Sequence, residues 1–126
     1  MLYHFHHVHL LCSDLENTIS FFRDILGSSF VGYKKFGSAN GASLNLNGTF
    51  INLRTVNESE EIGGDSSTMK YGYHHICVRV EDMDEAYAEL CSKGIDFIST
   101  PMIAGEKQIA FIKGPDNIVV EVLQTS

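Results

Sequence analysis

The sequence predicts an α+β fold made of one structural unit written twice, and three observations carry that prediction. The openings of two stretches match: 75 − 7 = 68, and at that offset His6/His74, His7/His75, Val8/Ile76, Leu10/Val78 and Asp14/Asp82 superpose. Two later stretches match as well, Asn47–Leu53 over Asp116–Val122, with 116 − 47 = 69. In each copy an alternating run then gives way to apolar residues at helical spacing, the change of period that joins a strand to a helix. Self-similarity at a long fixed period marks a duplicated architecture. The expected layout is a single domain with modules at about 4–56 and 72–125 and a linker at 57–71. Its curved sheet forms a trough, with the helices on the convex face.

Residues 5–12 alternate as a strand should, with Val8, Leu10 and Cys12 on one face and His7, His9 and Leu11 on the other. Ser13 and Glu16, three apart, read as a capping box. Leu15, Ile19, Phe22 and Ile25/Leu26 make a helical stripe that Gly27 ends. Strands are expected near Ser29–Lys35, Gly41–Leu46 and Thr49–Arg54, the last two joined through Asn47-Gly48, a strong two-residue hairpin signal. Residues 57–70 are acidic, Gly/Ser-rich and aperiodic, and read as a mobile linker. The second copy repeats the plan. A strand at Tyr73–Val80 leads to the stripe Met83, Ala86, Tyr87, Leu90 and Cys91, stopped by Gly94. Strands near Asp96–Met102 and Gln108–Lys113 follow, then the turn Gly114-Pro115-Asp116-Asn117 and a last strand Ile118–Gln124.

Composition narrows the function. A net charge of −7, with Lys34-Lys35 as the sole adjacent basic pair, offers nothing to neutralise phosphates, so nucleic acid is not an expected partner. No apolar run reaches the roughly 18–20 residues that span a bilayer, and the first residues lack a signal peptide's pattern. Cys12, Cys77 and Cys91 are an odd number among apolar neighbours, and read as buried free thiols of a reducing, cytoplasmic protein.

Packing the apolar strand positions under the helices puts Val8, Leu10, Ile76, Val78, Val120 and Val122 on the covered face. Counting by twos, the open face receives His7, His9, Phe50, Asn52, Arg54, His75, Cys77, Arg79, Val119, Glu121 and Leu123. His7, His75 and Glu121 then converge from three strands, and two imidazoles with one carboxylate are the donor set of an open divalent-metal site. Glu121 stands in an otherwise apolar strand, where an unpaired charge is costly. His6 and His74 fall on the opposite face as structural or exposed residues, and His4 as an exposed terminal one.

These paired modules, with His-Val and His-His-Ile at their openings, resemble the vicinal oxygen chelate superfamily. Asp14-Leu15-Glu16, Phe21-Phe22-Arg23-Asp24-Ile25-Leu26-Gly27 and Gly114-Pro115-Asp116 before Val120-Glu121 carry the likeness over nearly the whole chain. The superfamily includes glyoxalase I, methylmalonyl-CoA epimerase, extradiol dioxygenases, fosfomycin-modifying transferases and metal-free bleomycin-binding proteins. The resemblance implies two tandem βαβββ modules and one divalent metal ion (Ni, Co, Zn, Mn or Fe) held by His7, Asn52, His75 and Glu121. Asn52 departs from the carboxylate of glyoxalase I and is nearer the epimerase's amide.

The function implied is a lyase or isomerase acting beside a carbonyl through an enediolate or enolate, with Glu121 or His9 as base. Arg54 and Arg79 would hold a substrate carboxylate or phosphate. Two other classes stay open: an extradiol-type dioxygenase using His7, His75 and Glu121, and a metal-free protein that sequesters a small molecule between Phe50 and Phe111. A homodimer acting on a small-molecule substrate is expected by family analogy.

Overall fold

The computed structural model describes residues 1–63, 71 and 73–125. It falls into two compact units, Met1–Gly64 and Asp65–Ser126. The first module holds β1 (His7–Leu11), α1 (Leu15–Ser20), β2 (Ser29–Phe36), β3 (Ala39–Leu46) and β4 (Thr49–Arg54). The second holds β5 (Ile76–Arg79), α2 (Met83–Ser92), β6 (Phe97–Ala104), β7 (Lys107–Lys113) and β8 (Val119–Gln124). The α+β class and the two strand–helix–three-strand modules are those the sequence implies. Hydrogen bonding groups the strands into two four-stranded sheets, ordered β1-β4-β3-β2 and β5-β8-β7-β6, one per module, where a single sheet was expected. Each is mixed, because the opening strand runs parallel to the closing one while the other pairs are antiparallel.

The register reproduces the repeat. His9 lies opposite Asn52 and Cys77 opposite Glu121, so offsets of 68 and 69 carry one pair onto the other. Asn47 and Gly48 both take positive φ (47° and 108°), as do Asp116 and Asn117 (55° and 59°) at the matching turn before β8.

Both helices are capped by the repeated aspartate. Asp14 accepts from the Asn17 N–H and Asp82 from the Glu85 N–H, each at 3.0 Å. The cap therefore sits one residue after the expected Ser13, because an aspartate carboxylate at this position reaches the first-turn donors itself. Beyond α1, residues Phe21–Ile25 make a π-helical turn before Gly27 reverses the chain with φ 76°. That extra turn sets both Phe21 and Phe22 into the core, the latter fully buried and worth about 1.5–3 kcal/mol of transfer free energy.

Beneath the helices lie Ile19, Phe22, Leu44, Ile51 and Leu53 in the first module and Met83, Leu90, Ile112, Val120 and Val122 in the second. None of the cysteines forms a disulfide, and Cys12 is buried as expected. Cys77 and Cys91 are exposed, against expectation: Cys77 is on the side of β5 away from the core, and Cys91 is on the solvent side of α2's last turn. The first part of the expected linker is ordered by hydrogen bonds among Arg54, Asn57 and Glu60. Of the linker expected at 57–71, residues 64–70 lie outside the described residues. Among the described residues no helix is long and apolar enough to cross a membrane.

Candidate functional site

On β1 the alternation holds as expected, with Val8 and Leu10 turned toward the core and His7, His9 and Leu11 exposed. The His9 ring meets the Phe36 ring edge-on (centroids 4.7 Å, interplanar 77°) and lies 6.4 Å from His7. Burial first, then the positive charge of Arg54 and the neighbouring His7, lower the His9 pKa and favour its neutral imidazole. Phe36 is accommodated by Gly41, since a Cβ there would meet both the Phe36 ring and the Leu53 carbonyl oxygen. Neither Phe36 nor Gly41 was singled out from the sequence, because their contact depends on β2–β3 register.

Asn52 is 8% exposed and accepts a short hydrogen bond from the Ser43 hydroxyl across the β3–β4 pair. Arg54 is also engaged: its guanidinium grips Glu60 with both nitrogens, at 2.6 and 2.8 Å. Phe50 is half-buried and stacks on His6 (centroids 5.7 Å, interplanar 20°).

In the second module the equivalent of Asn52 is Glu121, and it is placed differently. Its Oε1 is 3.1 Å from His75 Nε2, and the two side chains keep 18% and 29% of their exposure. The His75 ring also meets Phe111 edge-on at 5.4 Å. Cys77 flanks Glu121 across the β5–β8 pair. Partial burial of the thiol, and then the adjacent carboxylate, push it up to about 11. Arg79 lies 3.8 Å from Glu81, between two well-exposed side chains.

His6 and His74 are exposed, as expected, but their rings do not turn away. His6 Nδ1 is 2.9 Å from His7 Nδ1, and His74 Nδ1 is 2.8 Å from His75 Nδ1. Strict alternation applies inside strands, whereas His6 precedes β1 and both His74 and His75 precede β5.

The donor types at His75 and Glu121 fit a divalent cation: an imidazole nitrogen and a carboxylate oxygen, 3.1 Å apart, are both groups that such an ion binds. His7 supplies the same imidazole at the matching place of the first module. Among the described residues no group of three or more His, Cys, Asp or Glu converges closely enough to hold a metal; the second module by itself supplies a pair.

Duplicated βαβββ modules, each opened by a histidine and closed by a strand carrying Asn52 or Glu121, define a class of paired-module α+β proteins. The chain belongs to the Glyoxalase/Bleomycin resistance protein/Dioxygenase superfamily, whose model matches residues 4–122. It is 27% identical over 128 residues to a probable lactoylglutathione lyase of Synechocystis sp., covering 95% of this chain and 94% of that protein. YwkD of Bacillus subtilis, an uncharacterized protein, is 26% identical over 94% of each chain. Among solved structures, a glyoxylase/bleomycin resistance protein/dioxygenase domain from Frankia sp. aligns with a TM-score of 0.81 at 22% identity over the full length of both. The fosfomycin resistance protein FosX from Listeria monocytogenes, complexed with Mn(II) and a sulfate ion, aligns at 0.73 and 18% identity, covering 100% of this chain and 95% of that one.

Proposed function

We propose that the protein is a metal-dependent lyase or isomerase of the glyoxalase type, acting on a small molecule next to a carbonyl. The observation that carries this reading is the approach of His75 Nε2 to Glu121 Oε1 at 3.1 Å on the face the helix leaves open. An ionisable pair placed beside apolar residues of β8 is a candidate functional site. Superfamily membership, the lactoylglutathione lyase name of a relative and the Mn(II) in FosX support it.

In this reading His75 and Glu121 are the metal donors of the second module and His7 is the matching donor of the first, while Asn52, whose oxygen already accepts from Ser43, stays outside the set. The bound metal would act as a Lewis acid toward the substrate's oxygen atoms. His9 serves as the base: its ring stands on the open face of β1, braced by Phe36, with the neutral form favoured. Phe50 and Phe111 brace the opening histidines, His6 and His75 respectively, and so line the substrate's surroundings. Arg54, closed onto Glu60, orders the chain after β4, which leaves Arg79 as the cation for an anionic substrate group. The working form is a cytoplasmic homodimer.

The test is elemental analysis of protein purified without chelator, beside His75→Ala. About one metal per chain in the wild type, lost in the variant, is the expected result. Nickel, cobalt, zinc or manganese would direct assays to lyase and isomerase substrates, whereas iron with oxygen uptake on a catechol would favour dioxygenase chemistry. No metal in either protein, even after reconstitution, would overturn the reading in favour of a binding protein.

A further inference from the structure

We infer that His6 and His74 are positioning residues: each fixes the imidazole of the following histidine through an Nδ1–Nδ1 hydrogen bond, leaving that neighbour's Nε2 as the working atom. The inference rests on the reading of His7 and His75 as metal ligands. His6 precedes β1 and His74 precedes β5, so strand alternation does not direct their side chains. Here the rings turn toward one another, and they do so in both modules. The Nδ1 atoms are 2.9 and 2.8 Å apart, the ring centroids 5.2 and 5.1 Å, and the interplanar angles 85° and 80°. Two separate copies arriving at one arrangement indicate a shared role.

The chemistry explains why a histidine serves. One nitrogen of an Nδ1–Nδ1 contact must carry the proton and the other the lone pair. In the metal-free protein His75 Nε2 faces a carboxylate, which only accepts, so Nε2 bears hydrogen; the neutral ring then accepts at Nδ1 from His74. A cation at Nε2 requires the lone pair there and the proton on Nδ1, and His74 must then accept. An imidazole can donate or accept at the same nitrogen by exchanging tautomers, so His74 keeps His75 oriented in both states. In the first module His6 has a further anchor, its stack on Phe50, which sits opposite His7 in the β1–β4 register.

The experiment compares wild type, His74→Ala, His74→Asn and His6→Ala by imidazole 15N NMR of the metal-free proteins and by calorimetric titration with Zn(II) alone. Asparagine can turn either its amide oxygen or its nitrogen toward the neighbour, and so mimics the two-way partner. The wild type should show His75 in one fixed tautomer and His74→Ala a mixture. Each alanine variant should bind Zn(II) about 10–100-fold more weakly, the usual cost of losing a partner that orients a ligand. His74→Asn should recover most of that loss, and metal-free melting temperatures should not move, since both residues are exposed. Unchanged tautomer and affinity in His74→Ala, or an asparagine variant no better than alanine, would overturn the inference. A wild type that takes up no Zn(II) while the tautomer result holds would remove the proposed function and leave the orienting role standing.

Discussion

At matching places in the two modules, Asn52 and Glu121 have gone separate ways. Asn52 is sunk into the first sheet and hydrogen-bonded to Ser43; Glu121 remains partly open and faces His75. The residues opposite differ to suit. Across β3–β4 Asn52 finds the Ser43 hydroxyl, whereas across β7–β8 Glu121 finds Phe111, which offers it no hydrogen bond and instead buttresses His75. Duplication thus preserved the frame while one copy settled its polar group within the sheet and the other left its polar group available. An amide and a carboxylate can occupy one position because their partners differ, Ser43 across the strand for the one and His75 for the other.

Substitutions at the two positions should therefore fail in different ways. Glu121→Asn, which makes the copies alike, should weaken metal binding at least about 100-fold, beyond what loss of an orienting partner costs, and leave melting nearly unchanged. Asn52→Ala should instead strand the Ser43 hydroxyl and destabilise the fold by about 1–3 kcal/mol, with much less effect on metal affinity. Titration calorimetry and denaturant melts on both variants decide it. Equal metal losses would restore Asn52 to the ligand set and erase the distinction.

A smaller contrast lies at Gly41 and its repeat partner Ile109, where 41 + 68 = 109. Only the first copy needs space there, for Phe36 beneath His9. Gly41→Ala should cost about 1–3 kcal/mol in a denaturant melt, as overpacking does. Gly32→Ala, with nothing within 4 Å of the added carbon, should shift stability by no more than about 1 kcal/mol, in the stabilising direction. A tolerated Gly41→Ala would mean that Phe36 moves freely and does not brace His9.

Much of this frame is legible in the sequence because it is written locally. Asn47-Gly48 names its own turn, Gly27 and Gly94 take positive φ just after the helical stripes they end, and period two separates His7 from Val8. Cys77 shows two local rules in conflict: apolar neighbours suggested burial, period two put it on the uncovered face, and geometry won. What escaped depends on partners distant in the chain or on strand ends. Ser43 meets Asn52 only once β3 and β4 are in register. His6 and His74 lie just outside strands, where alternation no longer directs a side chain. Glu60 belongs to a stretch whose composition reads as linker, yet it closes onto Arg54.

That ion pair gives the finest test of how the copies differ, for the position matching Arg54 is Leu123 (54 + 69 = 123) and the second copy has no such cation. The Arg54 guanidinium first, then the Asn57 N–H at 2.7 Å, hold the Glu60 carboxyl at about 2, below its ordinary 4.5. A carboxyl depressed by folding stabilises the native state above its unfolded pKa, and the contribution disappears as pH falls through the folded value. The pair is partly exposed, so the effect is small and weakens with salt. Thermal melts of wild type and Glu60→Gln from neutral pH downward should differ by a steady gap that narrows below about pH 4.5 and closes near pH 2. A gap that persisted undiminished to the acid end would show that Glu60 acts through packing, and that the charge pair peculiar to the first module does not help hold it together.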